Sequence, residues 1–288
     1  MKKFAAVAAI FLLVVMAGYS QTFSFKAGAG LGSVSTGDVA AGVRGISDLL
    51  KVYYSSVGKF EVPSLGPDFY AELIYHLSPS AGIGFGAGYF FAGKQSSIQY
   101  SIDTLDISHT VDPKVGVIPV TVTFHFFPAL SSKIRLDIGA GAGLYIANLK
   151  YEELISLSNL ATGTLQYKYE SGGRMGFGFQ GGIGLEYALS PTLALVAGVQ
   201  GRFASVTLAD GKWVEQGTEA FGDYLESGND HKAWYYDWTP VEGDRAYAQL
   251  VFQKDTPSGT DLANVRQAKL GLTGFVFTVG IRVGIGKE

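Results

Sequence analysis

The sequence predicts an all-β fold: an eight-stranded antiparallel up-and-down transmembrane β-barrel with long extracellular loops. The first observation is the run from Lys133 to Ala147, where Ile134, Leu136, Ile138, Ala140, Ala142, Leu144 and Ile146 share one parity. Arg135, Asp137, Gly139, Gly141, Gly143 and Tyr145 share the other. Alternate residues of a strand point to opposite faces, so one face is apolar over about 13 residues. A strand in water needs about 5–6 residues, whereas one crossing a bilayer at a steep tilt needs about 9–11. The second observation is that this pattern recurs down the chain. The third is a sharp alternation of short and long connections, the pattern of periplasmic turns and outer loops.

The first strand is expected from Phe23 to Val34, with Lys26 and the glycines inward. The second, Phe69 to Leu77, places Tyr70, Glu72 and His76 inside, and the third runs from Gly82 to Phe91. The fourth, Val117 to Phe127, sends Phe124 and Phe126 out and Thr121, Thr123 and His125 in. The fifth is the Lys133–Ala147 run. The sixth, Met175 to Tyr187, exposes Phe177, Phe179, Ile183 and Leu185 over an inner Gln180 and Glu186. The seventh spans Leu193 to Phe203, with Gln200 and Arg202 inside. In the eighth, Ala268 to Ile285, the apolar parity changes between Leu272 and Phe275, which predicts a bulge at Thr273-Gly274. Ser35–Asp68, Ala92–Gly116, Asn148–Arg174 and Val206–Gln267 are then the long outer loops. In the first of them, Ser47 caps a short expected helix through Tyr54 that presents Ile46, Leu49, Leu50 and Tyr53 on one face. Strand-end aromatics such as Phe23, Tyr75, Phe126 and Tyr187 at one end and Tyr89, Phe91 and Phe203 at the other suit two interfacial girdles.

Lys2 and Lys3 followed by the apolar Phe4–Ala17 and the small Gly18 and Ser20 predict a signal peptide over residues 1–20, cleaved before Gln21. Residues 21–288 then form one barrel domain exported to the outer membrane. Charged residues are 16% of the chain, and 39 of its 288 residues are glycine. Loss of Lys2 and Lys3 takes the formal net charge from −3 to −5, which is no footprint for nucleic acid. The chain has no cysteine, so it has no disulfide and no thiolate metal site. A soluble barrel would have to bury the parity that carries Lys26, Glu72, Arg135, Asp137, Glu186, Arg202 and Arg282, which is costly. A β-sandwich would not explain the paired short and long connections.

The glycine-alternating strands Gly82-Ile-Gly-Phe-Gly-Ala-Gly-Tyr89 and Gly139-Ala-Gly-Ala-Gly143, with the strand pair around Ser190-Pro191, resemble the small outer-membrane β-barrels. That superfamily includes the OmpA transmembrane domain, OmpX and OmpW. The resemblance is one of architecture, spans the chain after residue 20, and selects no single member. Thr278, Gly280, Val283 and Ile285 are similar to the family's C-terminal assembly signal, although the chain ends on Gly286-Lys287-Glu288 where the family has an aromatic residue. The resemblance implies outer-membrane lipids and lipopolysaccharide as surroundings. It also implies barrel-assembly machinery and periplasmic chaperones as partners during biogenesis.

An eight-stranded barrel is just wide enough for its inner side chains to fill it. Lys26, Arg135, Arg202 and Arg282 against Glu72, Asp137 and Glu186 are therefore expected to form a lumenal ion-pair network. The competing expectation is a narrow or gated polar path, a porin-like or OmpW-like conduit for small solutes. His76 and His125 lack metal-ligand spacing, and no cofactor is expected. Ser108-His109 and Asp230-His231 are the only loop histidine pairs, a weak basis for a surface lipid-modifying enzyme. The last long loop holds every tryptophan, and Trp213, Tyr224, Trp234, Tyr235, Tyr236 and Trp238 are candidates for a contact surface with an unknown ligand. It carries eleven acidic and five basic side chains. A self-packed lid with a hairpin such as Ala246–Phe252 is the alternative. The overall expectation is a non-enzymatic barrel that displays surface loops for binding or envelope integrity.

Overall fold

A computed structural model describes residues 23–208, 210–240 and 245–285. The expected signal peptide, Glu242 and Asp244 of the last long loop, and the chain end 286–288 lie outside the described residues. The described fold is all-β and antiparallel, with fifteen strands in one sheet. In chain order these are β1 (Phe23–Ser33), β2 (Val57–Gly58), β3 (Leu65–Ser78), β4 (Ala81–Gly93), β5 (Ser96–Ile102), β6 (Leu105–Phe126), β7 (Ile134–Asn159) and β8 (Gly163–Ala188). Then follow β9 (Leu193–Thr207), β10 (Gly211–Gly217), β11 (Tyr224–Trp238), β12 (Tyr247–Gln253), β13 (Leu262–Gln267), β14 (Lys269–Gly271) and β15 (Gly274–Ile285). One α-helix, α1 (Asp38–Tyr53), lies between β1 and β2. No helix among the described residues is long and apolar enough to cross a membrane.

Hydrogen-bonded partners lead from β1 through β3, β4, β6, β7, β8, β9 and β15 back to β1. Neither side of this circuit is left as a free edge. One walk around it runs Phe23, Tyr75, Ile83, Phe124, Ala140, Gly181, Gly201 and Phe275. Phe275 sits one step beyond the Gly32–Val276 pair, where its N–H donates to the Ser33 hydroxyl at 3.0 Å. The register has thus advanced by ten residues, from 23 to 33.

The strands of the circuit are amphipathic in two opposite senses. In β6, Ile118, Val120, Val122, Phe124 and Phe126 are exposed, while Thr121, Thr123 and His125 on the other parity are buried. Ten residues earlier in the same strand the arrangement is reversed. Ile107, Val111, Val115 and Val117 are buried, and Asp106, Ser108, Thr110, Asp112 and Lys114 take the outer parity. β7 inverts in the same way above Tyr145, burying Ala147, Leu149 and Tyr151 and turning Lys150 outward. β8 achieves it through a register shift opposite Ala147 and Leu149, after which Ser171 and Tyr169 point inward.

This inversion corrects several expectations. Residues 92–116 and 148–174 are not loops: β6, β7 and β8 continue through them as paired strands. The parity change in the last strand needs no bulge, because Leu270–Val206 and Val276–Gln200 keep one register against β9. Leu270 and Leu272 are buried on the same inner parity as Val276, at 0%, 3% and 1% exposure. They belong to the apolar interior of the upper half, where the inner side chains are apolar and the outer ones polar. That interior also contains Val34, Phe90, Ala204, Val206, Leu208 and the inner face of α1.

The helix begins nine residues before the expected Ser47. Its N-cap, Gly37, has a φ of 58°, a conformation that favours glycine, and makes no side-chain cap. Asp38 in the first turn instead accepts bonds from the Lys269 N–H at 2.9 Å and from Arg266 at 2.8 Å. Ser47 is interior to the helix and buried, its hydroxyl accepting the Phe60 N–H at 3.3 Å. α1 packs on β12 through Gly42 and Gly45. A Cβ at Gly45 would come within 1.8 Å of the Ala248 carbonyl oxygen, so only glycine permits this approach. Gly45→Val is therefore expected to lever α1 off β12 at a cost of about 1–3 kcal/mol. Limited proteolysis should then cut near residue 55 while the eight-strand circuit stays intact.

Candidate functional site

The lower half of the circuit encloses a network of ionic side chains. β1 supplies Lys26, whose Nζ lies 2.6 Å from Asp137 on β7. The second Asp137 oxygen faces His125 Nδ1 at 2.7 Å, and His125 Nε2 reaches Glu72 on β3 at 3.1 Å. Glu186 on β8, 1% exposed, lies between Arg135 at 3.2 Å and Arg282 of β15 at 3.1 Å. Both guanidinium groups also stand 5.8 Å from the ring centroid of Phe127, which stacks on His125. Phe127, itself buried, forms a floor at the short-turn end. Charges in so confined a space are most stable when both paired and hydrogen-bonded. Lys26, Asp137, His125 and Glu72 meet both demands, whereas Glu186 is charge-paired but neither of its oxygens has a hydrogen-bond donor among the described residues.

Above it, the Gln180 amide donates to Thr123 at 3.0 Å and accepts from the Tyr145 hydroxyl at 3.4 Å. Arg202 pairs with Asp68 at 2.7 Å. Between these layers is an inner cavity of about 100 Å³, lined by Lys26, Glu72, Thr121, Gln180, Arg202 and Thr278. It has room for about three waters at their liquid density.

The seven expected lumenal residues thus occupy one interior but fall into three groups: Lys26, Asp137 and Glu72 joined through His125, Arg135 and Arg282 on Glu186, and Arg202 on Asp68. Asp68 falls at the end of an expected loop. The inner parity of Tyr70 and Glu72, extended by two residues, reaches it. His125 is the hub between two carboxylates, a role no spacing announces. His76 bonds Ser24 at 2.8 Å. Among the described residues, no group of three or more His, Asp or Glu is arranged to hold a metal.

The aromatic candidates of the last long connection do not form an open contact surface. Trp234 and Tyr235 are each 9% exposed, because β11 is a central strand between β12 and β13. Trp234 Nε1–H donates to the Gln253 carbonyl at 3.2 Å and Trp238 Nε1–H to Asp261 at 2.6 Å. The Arg266 guanidinium lies 4.1 Å from the Tyr235 ring centroid. Burial, then a hydrogen bond to Asp237, pushes the Tyr235 hydroxyl up to about 12. Tyr236 is half-buried, and Tyr224 at the rim donates its hydroxyl to Glu215. Residues 247–253 form a hairpin with β11, close to the alternative hairpin read from the sequence.

The two loop histidines are likewise packed. His109 is buried 2.6 Å from Glu153 and edge-on to Phe60. His231 is stacked on Trp213 at 4.0 Å, with the Tyr167 hydroxyl 3.1 Å from its Nδ1. Burial holds His231 below its ordinary value of 6.5. The unfolded chain therefore binds its proton first, and this contribution to upper-half stability is complete above pH 6.5 and declines as pH falls. Trp213 emission should consequently lose intensity on acidification with a midpoint below 6.5, and His231→Gln should abolish that step.

No family model and no curated protein matches the chain. Among solved structures, the chain is similar to the outer membrane protein OprG from Pseudomonas aeruginosa, at 10% identity over 93% of this chain and 97% of that one, with a TM-score of 0.41. It is also similar to a major outer membrane protein from Thermus thermophilus, at 13% identity over 93% and 100%, with a TM-score of 0.39. A third likeness, to the RagAB peptide importer, has 11% identity, covers 94% of this chain and 41% of that one, and has a TM-score of 0.18.

Proposed function

We propose that the chain is an integral outer-membrane β-barrel protein without enzymatic activity, whose eight-strand circuit carries a folded cap on the outer side. The observation that carries this reading is the exposed apolar belt around the circuit, including Phe69, Phe85, Phe124, Phe177, Leu195 and Phe277 at 48–66% exposure. Soluble monomers rarely expose so many large apolar side chains on one continuous surface. Closure fits the same medium, because hydrocarbon offers no partner for a free strand edge.

The dimensions agree. A shift of ten residues at about 3.3 Å each against eight spacings of about 4.8 Å corresponds to a tilt of about 40°. At that tilt the eight steps from Ile118 to Phe126 rise about 20 Å, most of the apolar band of about 25 Å in such barrels. The inversion of the strands then marks the outer membrane surface, and lipopolysaccharide surrounds that level.

Paired charges below and an apolar core with α1 above support a closed frame over a conduit. The inner cavity favours the conduit as the second reading. Planar-bilayer recording decides between them: the closed frame gives no unitary conductance from folded, inserted protein. Steady unitary currents whose amplitude or ion selectivity changes in Arg202→Ala would establish the conduit and overturn the closed frame.

A further inference from the structure

We propose that the basic groove beside α1 binds the phosphate group of an anionic lipid at the outer membrane surface. This inference rests on the membrane reading above. The groove has a volume of about 640 Å³ and is walled by Arg44, Lys51, Lys59 and Lys94, with Asp48 and Glu61 as its acidic members. Glu61 is already held by Lys59 at 3.3 Å and Lys94 at 3.1 Å, and Asp48 by Arg245 at 3.4 Å. Five cations therefore meet two carboxylates among the described residues, in a chain whose formal net charge is −3. Arg44 uses its Nε–H on the Ala40 carbonyl at 3.1 Å, which leaves the outer guanidinium nitrogens for an oxyanion. Guanidinium and ammonium groups converging on one cleft are the chemistry that recognises a phosphate.

The position of the groove selects the carrier of that phosphate. Leu65, on the groove wall, is 60% exposed, and Leu31, Phe69 and Phe91, lower on β1, β3 and β4, are 56%, 52% and 39% exposed. A phosphate in the groove thus stands at the upper edge of the lipid-facing belt, where acyl chains attached to it can lie along those side chains. A free phosphate has no use for that continuity.

The test refolds the full chain into phosphatidylcholine vesicles, with and without 10 mol% of a lipid A bearing two phosphomonoesters or its dephosphorylated form. Lipid retained after detergent extraction at 150 mM salt is counted by native mass spectrometry. Wild type should retain the phosphorylated lipid at least tenfold over the dephosphorylated one. The variant Arg44→Gln/Lys51→Gln/Lys59→Gln/Lys94→Gln should lose this preference, and Lys51→Arg/Lys59→Arg/Lys94→Arg should keep it. Equal retention of the two lipids, or an unchanged preference in the glutamine variant, overturns the inference while leaving the barrel in place. Complete displacement by millimolar inorganic phosphate overturns the lipid as the source. Failure of wild type to insert into phosphatidylcholine vesicles overturns both readings.

Discussion

Asp137→Ala is expected to be among the most damaging single substitutions, lowering the stability of the detergent-folded protein by about 3–5 kcal/mol. Asp137 is 4% exposed and serves Lys26 at 2.6 Å and His125 at 2.7 Å. Its removal leaves an ammonium group inside the lumen without its carboxylate and an imidazole held only by Glu72. The loss is one of uncompensated charge, not of packing. Lys26→Met combined with Asp137→Leu should therefore recover most of it, since a well-packed apolar pair often replaces a buried ion pair at little cost. Urea titration of the folded species measures both. Equal midpoints for Asp137→Ala and the double variant would mean that water solvates these charges and that the lumen is open.

Val122→Arg is the second large effect, expected to cost about 2–4 kcal/mol in a bilayer. Val122 is 49% exposed at the middle of the apolar stretch of β6. An exposed site on a soluble protein would accept the same change within about 0.5 kcal/mol. Ser108→Arg supplies the internal comparison, because Ser108 has the same outer parity on the same strand but lies above the inversion. Folding into vesicles should be impaired for the first variant and unchanged for the second. Similar outcomes for both would remove the lipid from the explanation.

The circuit is legible in the sequence because its signal is periodic. Parity alone sends Phe69, Phe85, Phe124, Phe177, Leu195 and Phe277 outward, and each is exposed. The upper half escapes that reading because it carries the same period with the opposite sense. Val111, Val115 and Val117 alternate with Asp112, Lys114 and Gly116, which breaks the outward pattern at residue 117 and resembles the end of a strand. Leu270 and Leu272 pose the same problem, imitating a bulge where the register is continuous and only the polarity of the two faces is exchanged.

The helix start is illegible for a different reason. It is made by the backbone of Gly37 and by Asp38 bonding to a segment 231 residues away, so no capping residue marks it, whereas Ser47 imitates one. Within the lumen, parity identifies which side chains point inward but not who pairs with whom. Lys26 with Asp137, and Asp68 with Arg202, are fixed by register around the circuit, which the linear sequence does not display.

The inversion along β6 can be measured directly, because the chain has no cysteine and each introduced one is unique. Single cysteines at 108, 110 and 112, and at 118, 120, 122 and 124, share the outer parity and differ only in height. In phosphatidylcholine vesicles a membrane-impermeant maleimide should label the first three and spare the last four until detergent is added. Rapid labelling at 120, 122 and 124 in intact vesicles would contradict the membrane boundary placed here.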